Sequence, residues 1–205
     1  MIQGTTEYND YVAVQRAFNG LHTDGSRENC EDIQGEAALR LAKYATQYCE
    51  DDEDVRVLDA GCRTGYASAR LLKSGFADAC VGVDIVPEFA AYATAQGRGG
   101  TFKVADLHAL PFPDKSFSWA LCTQTLEHCH TPDLAVRELR RVSRLGLYIG
   151  IPLEPPTMKT TNPSHFVFNR DPMFWINMFT GMQLRWAEQI GVYFEFFLTE
   201  PGTSQ

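Results

Sequence analysis

Positive charge is what this chain is shortest of: 18 lysines and arginines stand against 26 aspartates and glutamates, a formal net charge of −8. Binding along a phosphate backbone needs a basic face to displace counterions, so nucleic acid is disfavoured and a small-molecule partner is favoured. No uninterrupted apolar run reaches the roughly 18 residues of a membrane span, and no membrane association is expected. The opening MIQGTTEYNDYV has neither a basic leader nor an apolar stretch, so a cytoplasmic location is the expectation. The six cysteines, Cys30, Cys49, Cys62, Cys80, Cys122 and Cys129, form no CxxC pair. They read as reduced, mostly buried thiols rather than as a disulfide framework or a zinc ribbon. Internal repeats and low-complexity tracts are also missing, which excludes a solenoid.

What is present suits one domain over residues 1–205, since 205 residues at 44% hydrophobic content can enclose a sizeable core. Three parts are expected: an N-terminal helical segment (1–50), a central core (55–151), and a C-terminal loop with strands (152–205). Tyr8, Tyr11, Val12 and Phe18 are spaced to share a helix face. Ala38, Leu41, Ala42, Ala45 and Tyr48 give a stronger helical rhythm over 34–48. The acidic run Glu50 to Asp54 reads as a solvated turn, because five acids oppose the negative end of a helix dipole.

Strand and helix signals then alternate. Strands are expected over 55–60, 80–84, 101–105, 117–123 and 145–151. Helices are expected from Tyr66 to Ser74, from Pro87 to near Gly97, and behind Thr131-Pro132-Asp133. In that last helix Thr131 is the N-cap and Leu134, Ala135, Leu139 and Val142 face inward. Later come a helix near 172–179 and two strands, 183–188 and 192–199. Such alternation means right-handed βαβ units in an α/β sheet, mostly parallel with an antiparallel hairpin at its C-terminal edge and helices on both faces. Ligands on these sheets bind beyond the carboxyl ends of the strands, where strand order reverses.

Those strand ends carry chemistry. After the first strand, Asp59-Ala60-Gly61-Cys62-Arg63-Thr64-Gly65 leads straight into a helix, so that backbone N–H groups approach a ligand without a Cβ in the way. Asp84 ends the second strand, where a carboxylate can accept both hydroxyl hydrogens of a ribose. Asp106 follows the third, where it could accept from an adenine amine. Each acid alone also suits a cap or a solvated loop; three strand-end features in register point to a nucleotide-like ligand.

The segment VLDAGCRTG, the strand VGVD, the pair Ala105-Asp106, the run LPFPDKSFSWALCTQTLEH and the helix ELRRV resemble, in order and spacing, the class I S-adenosylmethionine-dependent methyltransferases of the type 11 and UbiE-like group. The resemblance covers about residues 55–151 and implies a Rossmann-like doubly wound sheet. It also implies S-adenosylmethionine as cofactor and methyl transfer to a small-molecule acceptor, in a monomer or homodimer. Asp59, Gly61, Cys62, Arg63 and Gly65 would cradle the methionine part, Asp84 and Ile85 the ribose, Asp106 and Leu107 the adenine, and the Thr123-Gln124 corner would close over the methionine end. Two departures stand out. Arg63 replaces the usual middle glycine; its side chain is expected to point outward to solvent or an acidic acceptor, the second reading being that it pairs with a carboxylate such as that of the methionine moiety. The usual Pro-Gly-Gly turn before the fifth strand is reduced to Arg144-Leu145-Gly146, expected as a surface turn.

A nicotinamide oxidoreductase is the rival reading, but its G-x-G-x-x-G fingerprint fails at Arg63 and Tyr66. Methyl transfer needs alignment, desolvation and sometimes a base, so no dedicated catalytic motif is required. His165 and His128 are the catalytic candidates, His165 for acceptor contact within the irregular loop 155–169, His128 also suiting a structural bond to a carbonyl. Glu127-His128-Cys129-His130 is not expected to hold a metal, because neighbours in a short loop point to different sides. The dense C-terminal aromatics read as core, with Tyr193, Glu195 and Phe197 alternating at a sheet edge. Two alternatives remain: a tRNA or protein methyltransferase using Arg137, Arg140, Arg141 and Arg144, and a non-catalytic binding module of the same fold.

Overall fold

The computed structural model describes residues 5–19, 28–48, 54–153, 164–167 and 171–203. The acidic residues 50–53 and most of the loop 155–169 lie outside them. Two N-terminal helices, α1 (Thr6–Asn19) and α2 (Glu28–Ala45), precede β1 (Arg56–Ala60), α3 (Tyr66–Lys73), β2 (Ala79–Asp84), α4 (Pro87–Ala95) and β3 (Thr101–Val104). Then follow β4 (Phe117–Thr123), α5 (Pro132–Val142), β5 (Ser143–Pro152), the short α6 (Pro172–Asn177), β6 (Gln183–Ile190) and β7 (Tyr193–Thr199).

The seven strands form one sheet in the order β3-β2-β1-β4-β5-β7-β6. The first five pair in parallel, and β7 and β6 add an antiparallel hairpin. Every residue of β4 is buried, as a central parallel strand covered on both faces requires. On one face Ala38, Leu41, Leu71, Trp119, Tyr148 and Phe197 pack together under α2 and α3. On the other, Leu58, Ala120, Leu139, Ile149, Trp175 and Phe179 pack under α5 and α6.

Several expectations shift. Tyr8 and Tyr11 are buried and Val12 half-buried, as a shared face requires, while the side chain of Phe18 lies outside the described residues, as does Phe168. In α5, Val136 rather than Leu134 faces the core, because residues 132, 135, 136, 139 and 142 make one continuous stripe. Thr131 occupies the N-cap position, but its hydroxyl meets His130 Nδ1 at 2.7 Å and caps no N–H. Arg144-Leu145-Gly146 is no surface turn: α5 runs directly into β5, where Gly146 pairs with Thr199 and a Cβ would lie 2.1 Å from the Leu198 carbonyl oxygen. The strand holding Tyr193, Glu195 and Phe197 is inside the sheet, with β6 as the edge. Glu195 there is 2% exposed and takes a two-pronged hydrogen bond from Arg40 at 2.7 and 2.9 Å.

Candidate functional site

Strand order reverses beside β1, whose neighbours are β2 and β4. There, past the carboxyl ends of four strands, lies a cavity of about 340 Å³. Gly61 contributes from β1, Asp84 and Ile85 from β2, Asp106 and Leu107 from β3, and Gln124 from β4. The volume falls in the range of small-ligand sites.

The glycine bend is held from both sides. Gly61 and Cys62 donate their N–H groups to the Val83 carbonyl at 2.8 and 2.9 Å, fastening the turn to β2. Gly61 has φ +77°, and a Cβ there would sit 2.2 Å from Thr125 Oγ1. Gly65, at φ +73°, lets α3 close on β3, since a Cβ would meet the Phe102 ring at 2.6 Å.

Of the three acids, two face the cavity. Asp84 accepts from the N–H of Arg63 at 3.0 Å and of Val86 at 2.9 Å. Burial pushes its carboxyl up to about 6, against the pull of these bonds and of the Arg63 charge. Asp106 also lines the cavity. Burial raises its pKa, but hydrogen bonds from His108 win and hold it below the ordinary value; the His108 N–H donates at 2.9 Å and Nδ1 lies at 2.5 Å. Behind Asp106, the His108 ring stacks on His130 at 4.0 Å, with Tyr11 edge-on to both.

Asp59 is turned instead to the first turn of α3. Its Oδ2 accepts from the Ser68 N–H at 3.1 Å and the Ser68 hydroxyl at 2.7 Å, and burial lifts it to about 6. It thus braces the bend from below. Cys62, Gly65 and Thr123 are likewise absent from the cavity wall, whereas Gln124, at φ +52°, lines it.

Arg63 does not point outward. With φ +47° it occupies the left-handed backbone that a glycine would adopt freely. Its guanidinium sits 5.6 Å from the centre of the Phe89 ring and lines the cavity. Its Nε is buried without a hydrogen-bond partner, a cation-bearing fork turned toward the cavity.

Both candidate histidines reach the same cavity. His128 closes a 3-10 turn, Leu126–His128. Its Nδ1 faces the Ser164 carbonyl at 3.0 Å, the carbonyl contact that its sequence position suggested. Burial first, then the nearby His165 and Arg63, lower its pKa to about 4. It is therefore neutral at pH 7 and a weak base. His165 packs edge-on against it, ring centres 4.6 Å apart.

Long-range contacts supply the wall residues that local patterning missed: Tyr11 and Gln15 from α1, Ile33 and Gln34 from α2, and Tyr193 from β7. Tyr11 donates to the His128 carbonyl at 3.1 Å, and Gln15 donates to the Ser164 carbonyl at 3.3 Å. Of the four arginines that could make a basic groove, Arg137 is exposed and donates to the Asp133 carbonyl of its own helix, while the other three are engaged elsewhere. Arg140 pairs with Glu200, Arg141 with Glu138 and Asp114, and Arg144 bonds Ser118.

Residues 58–149 match the family model described as a methyltransferase domain, a span that contains the bend, both cavity-facing acids and the Leu126–His128 turn. Over that span, less than half of the chain, the sequence is similar to a methyltransferase domain. It is 31% identical to a malonyl-[acyl-carrier protein] O-methyltransferase of Halorhodospira halophila over 151 residues, covering 70% of this chain and 48% of that protein. To ajmaline N-methyltransferase of Rauvolfia serpentina it is 31% identical over 124 residues, 55% of this chain and 42% of the relative. The chain thus spans about half the length of the curated relatives it matches. In fold, the chain is similar to an S-adenosylmethionine-dependent methyltransferase of Mesorhizobium loti (TM-score 0.60, 15% identity, 78% and 98% of the two chains). It is also similar to the PH0226 protein of Pyrococcus horikoshii (TM-score 0.67, 17% identity, 93% and 98%).

Proposed function

We propose that the domain binds S-adenosylmethionine in this cavity and transfers its methyl group to a small-molecule acceptor. The observation that carries the reading is Asp84 and Asp106, beyond the adjacent strands β2 and β3, lining one cavity with the Gly61 bend beyond β1. The residues fit the cofactor. Arg63 Nε, buried without a partner, suits the methionine carboxylate. The Asp84 carboxylate and Ile85 suit the ribose, and Asp106 with Leu107 suits the adenine edge. Asp59, Cys62 and Gly65 act from behind, by keeping the bend in shape, and Thr123 by presenting Gln124.

The bound cofactor would supply an already activated methyl carbon, so the chain's task is to align an acceptor and exclude water. His165 is the residue we assign to acceptor contact; the low basicity of His128 suits it to holding the loop. A small acceptor is supported by the net charge of −8, by the ion pairs that engage Arg140 and Arg141, and by a relative named for N-methylation of ajmaline. No helix among the described residues is long and apolar enough to cross a membrane.

Calorimetry with S-adenosylhomocysteine tests the reading. Saturable one-to-one binding is expected, and Asp84→Ala should weaken it by about 1–3 kcal/mol, because hydroxyls that the carboxylate accepted are left unpaired. A folded chain that shows no binding would refute the cofactor and leave a domain that kept the fold without the ligand.

A further inference from the structure

Among the described residues, one cluster offers three metal-ligating side chains: Glu127, His128 and His165, whose ligand atoms lie within 4.8 Å of one another. Adjacency in sequence suggested that Glu127 and His128 diverge. On the 3-10 turn they instead converge on the cavity, and the loop after β5 brings His165 to meet them. His128 Nε2 and Glu127 Oε1 are 3.9 Å apart. That is too long for a hydrogen bond, yet within the span of two atoms bonded to one ion at about 2.0–2.2 Å each.

The mounting of these side chains is the second observation. His128 Nδ1 lies 3.0 Å from the Ser164 carbonyl and 3.1 Å from the Ser164 hydroxyl; the carbonyl contact favours a proton on that nitrogen and an unprotonated Nε2 on the side of Glu127, the arrangement of ligating histidines. The Glu127 carbonyl accepts from the N–H groups of Phe166 and Val167 at 2.8 and 3.1 Å, so the segment bearing His165 is bound to the segment bearing the other two. Tyr11 and Gln15 tie both segments to α1. Glu127 is 1% exposed, so its carboxylate is held inside the wall with the two imidazoles.

We propose that Glu127, His128 and His165 bind one divalent transition-metal ion in the cavity wall, and that an open position on this ion takes the hydroxyl oxygen of the acceptor. Two imidazoles and one carboxylate suit zinc, manganese, iron or cobalt better than magnesium or calcium. The second half rests on the methyl-transfer reading above. An ion-bound hydroxyl loses its proton to solvent near neutral pH. Its oxygen lone pair then forms the new O–CH3 bond while the S–CH3 pair stays on sulfur, leaving S-adenosylhomocysteine.

Cobalt titration followed by visible absorption tests this on the intact chain. One Co2+ per chain is expected, with d–d bands that azide shifts by taking the open position. His165→Ala and Glu127→Gln should each weaken Co2+ binding at least tenfold, while S-adenosylhomocysteine affinity stays within twofold and melting confirms folding. Asp84→Ala should do the reverse, weakening S-adenosylhomocysteine and sparing Co2+. Absence of Co2+ binding, or binding indifferent to both His165→Ala and Glu127→Gln, overturns the metal site even if S-adenosylhomocysteine still binds. Bands that azide leaves unmoved overturn the open position. Co2+ binding without S-adenosylhomocysteine binding supports the ion site and removes the methyl-transfer reading.

Discussion

Asp84 gives the sharpest forecast, because its burial makes cofactor affinity depend on pH with a definite sign. Its carboxyl sits near 6 when the cavity holds no ligand. Ribose hydroxyls donate to the ionised form, so a ligand favours the carboxylate and must expel a proton wherever the pH is at or below that value. For one group titrating near 6, the loss relative to pH 7.5 is about twofold at pH 6 and about elevenfold at pH 5, close to 1.4 kcal/mol. S-adenosylhomocysteine binding measured calorimetrically at pH 7.5, 6 and 5 reads this directly. Stability without ligand runs the other way. A carboxyl raised in the folded state stabilises it at low pH, and that contribution disappears as pH rises through about 6. Asp84 and Asp59, raised alike, should each remove about 1.4 kcal/mol between pH 5 and 7.5. Asp84→Asn should flatten the affinity profile and remove about half of this pH-dependent change in melting temperature, leaving the share of Asp59. Affinity that is level from pH 7.5 to 5 in the wild type, or that falls equally in Asp84→Asn, refutes the assignment.

Other outcomes follow from single contacts. Gly61→Ala forces a Cβ to 2.2 Å from Thr125 Oγ1 at φ +77°; chemical denaturation should show a loss above about 2 kcal/mol, with S-adenosylhomocysteine binding lost as well. Arg63→Gly should raise the melting temperature slightly, by relieving about 1 kcal/mol of left-handed backbone cost, while weakening S-adenosylhomocysteine at least tenfold through loss of a charged hydrogen bond. An unchanged affinity would place the guanidinium away from the ligand. Arg40→Ala leaves the 2% exposed Glu195 carboxylate with the Tyr148 hydroxyl but without its cation and should cost about 3–5 kcal/mol in denaturant titration. A loss under 1 kcal/mol would mean that water reaches Glu195.

The sheet was legible in the sequence because parallel strands write themselves as short apolar runs with turn residues between them, and Asp84 and Asp106 mark two strand ends. The bend at Gly61 was legible for the same local reason. Less could be read of Asp59, since its partner Ser68 is chosen by the way α3 docks. For Arg63 the sequence favours the outward reading over the carboxylate-pairing one, because nothing local shows that the Phe89 face gives the guanidinium a place at the cavity wall. Of the far wall only the two histidines could be named, because Tyr11 and Gln15 reach His128 and Ser164 across long stretches of chain. The start of β5 was misread where β7 crosses Gly146, a demand imposed by a strand fifty residues later.

Cys129 lines the cavity at 1% exposure, and its thiol proton is held tightly, by burial first and then by Glu127 and Asp106. A thiolate in that wall would compete with any acceptor for an electrophilic methyl carbon, whereas the neutral thiol is inert. On the methyl-transfer reading, burial foremost thus guards the domain against alkylating itself, and a substitution that opened the wall around Cys129 to water would expose the protein to its own reagent.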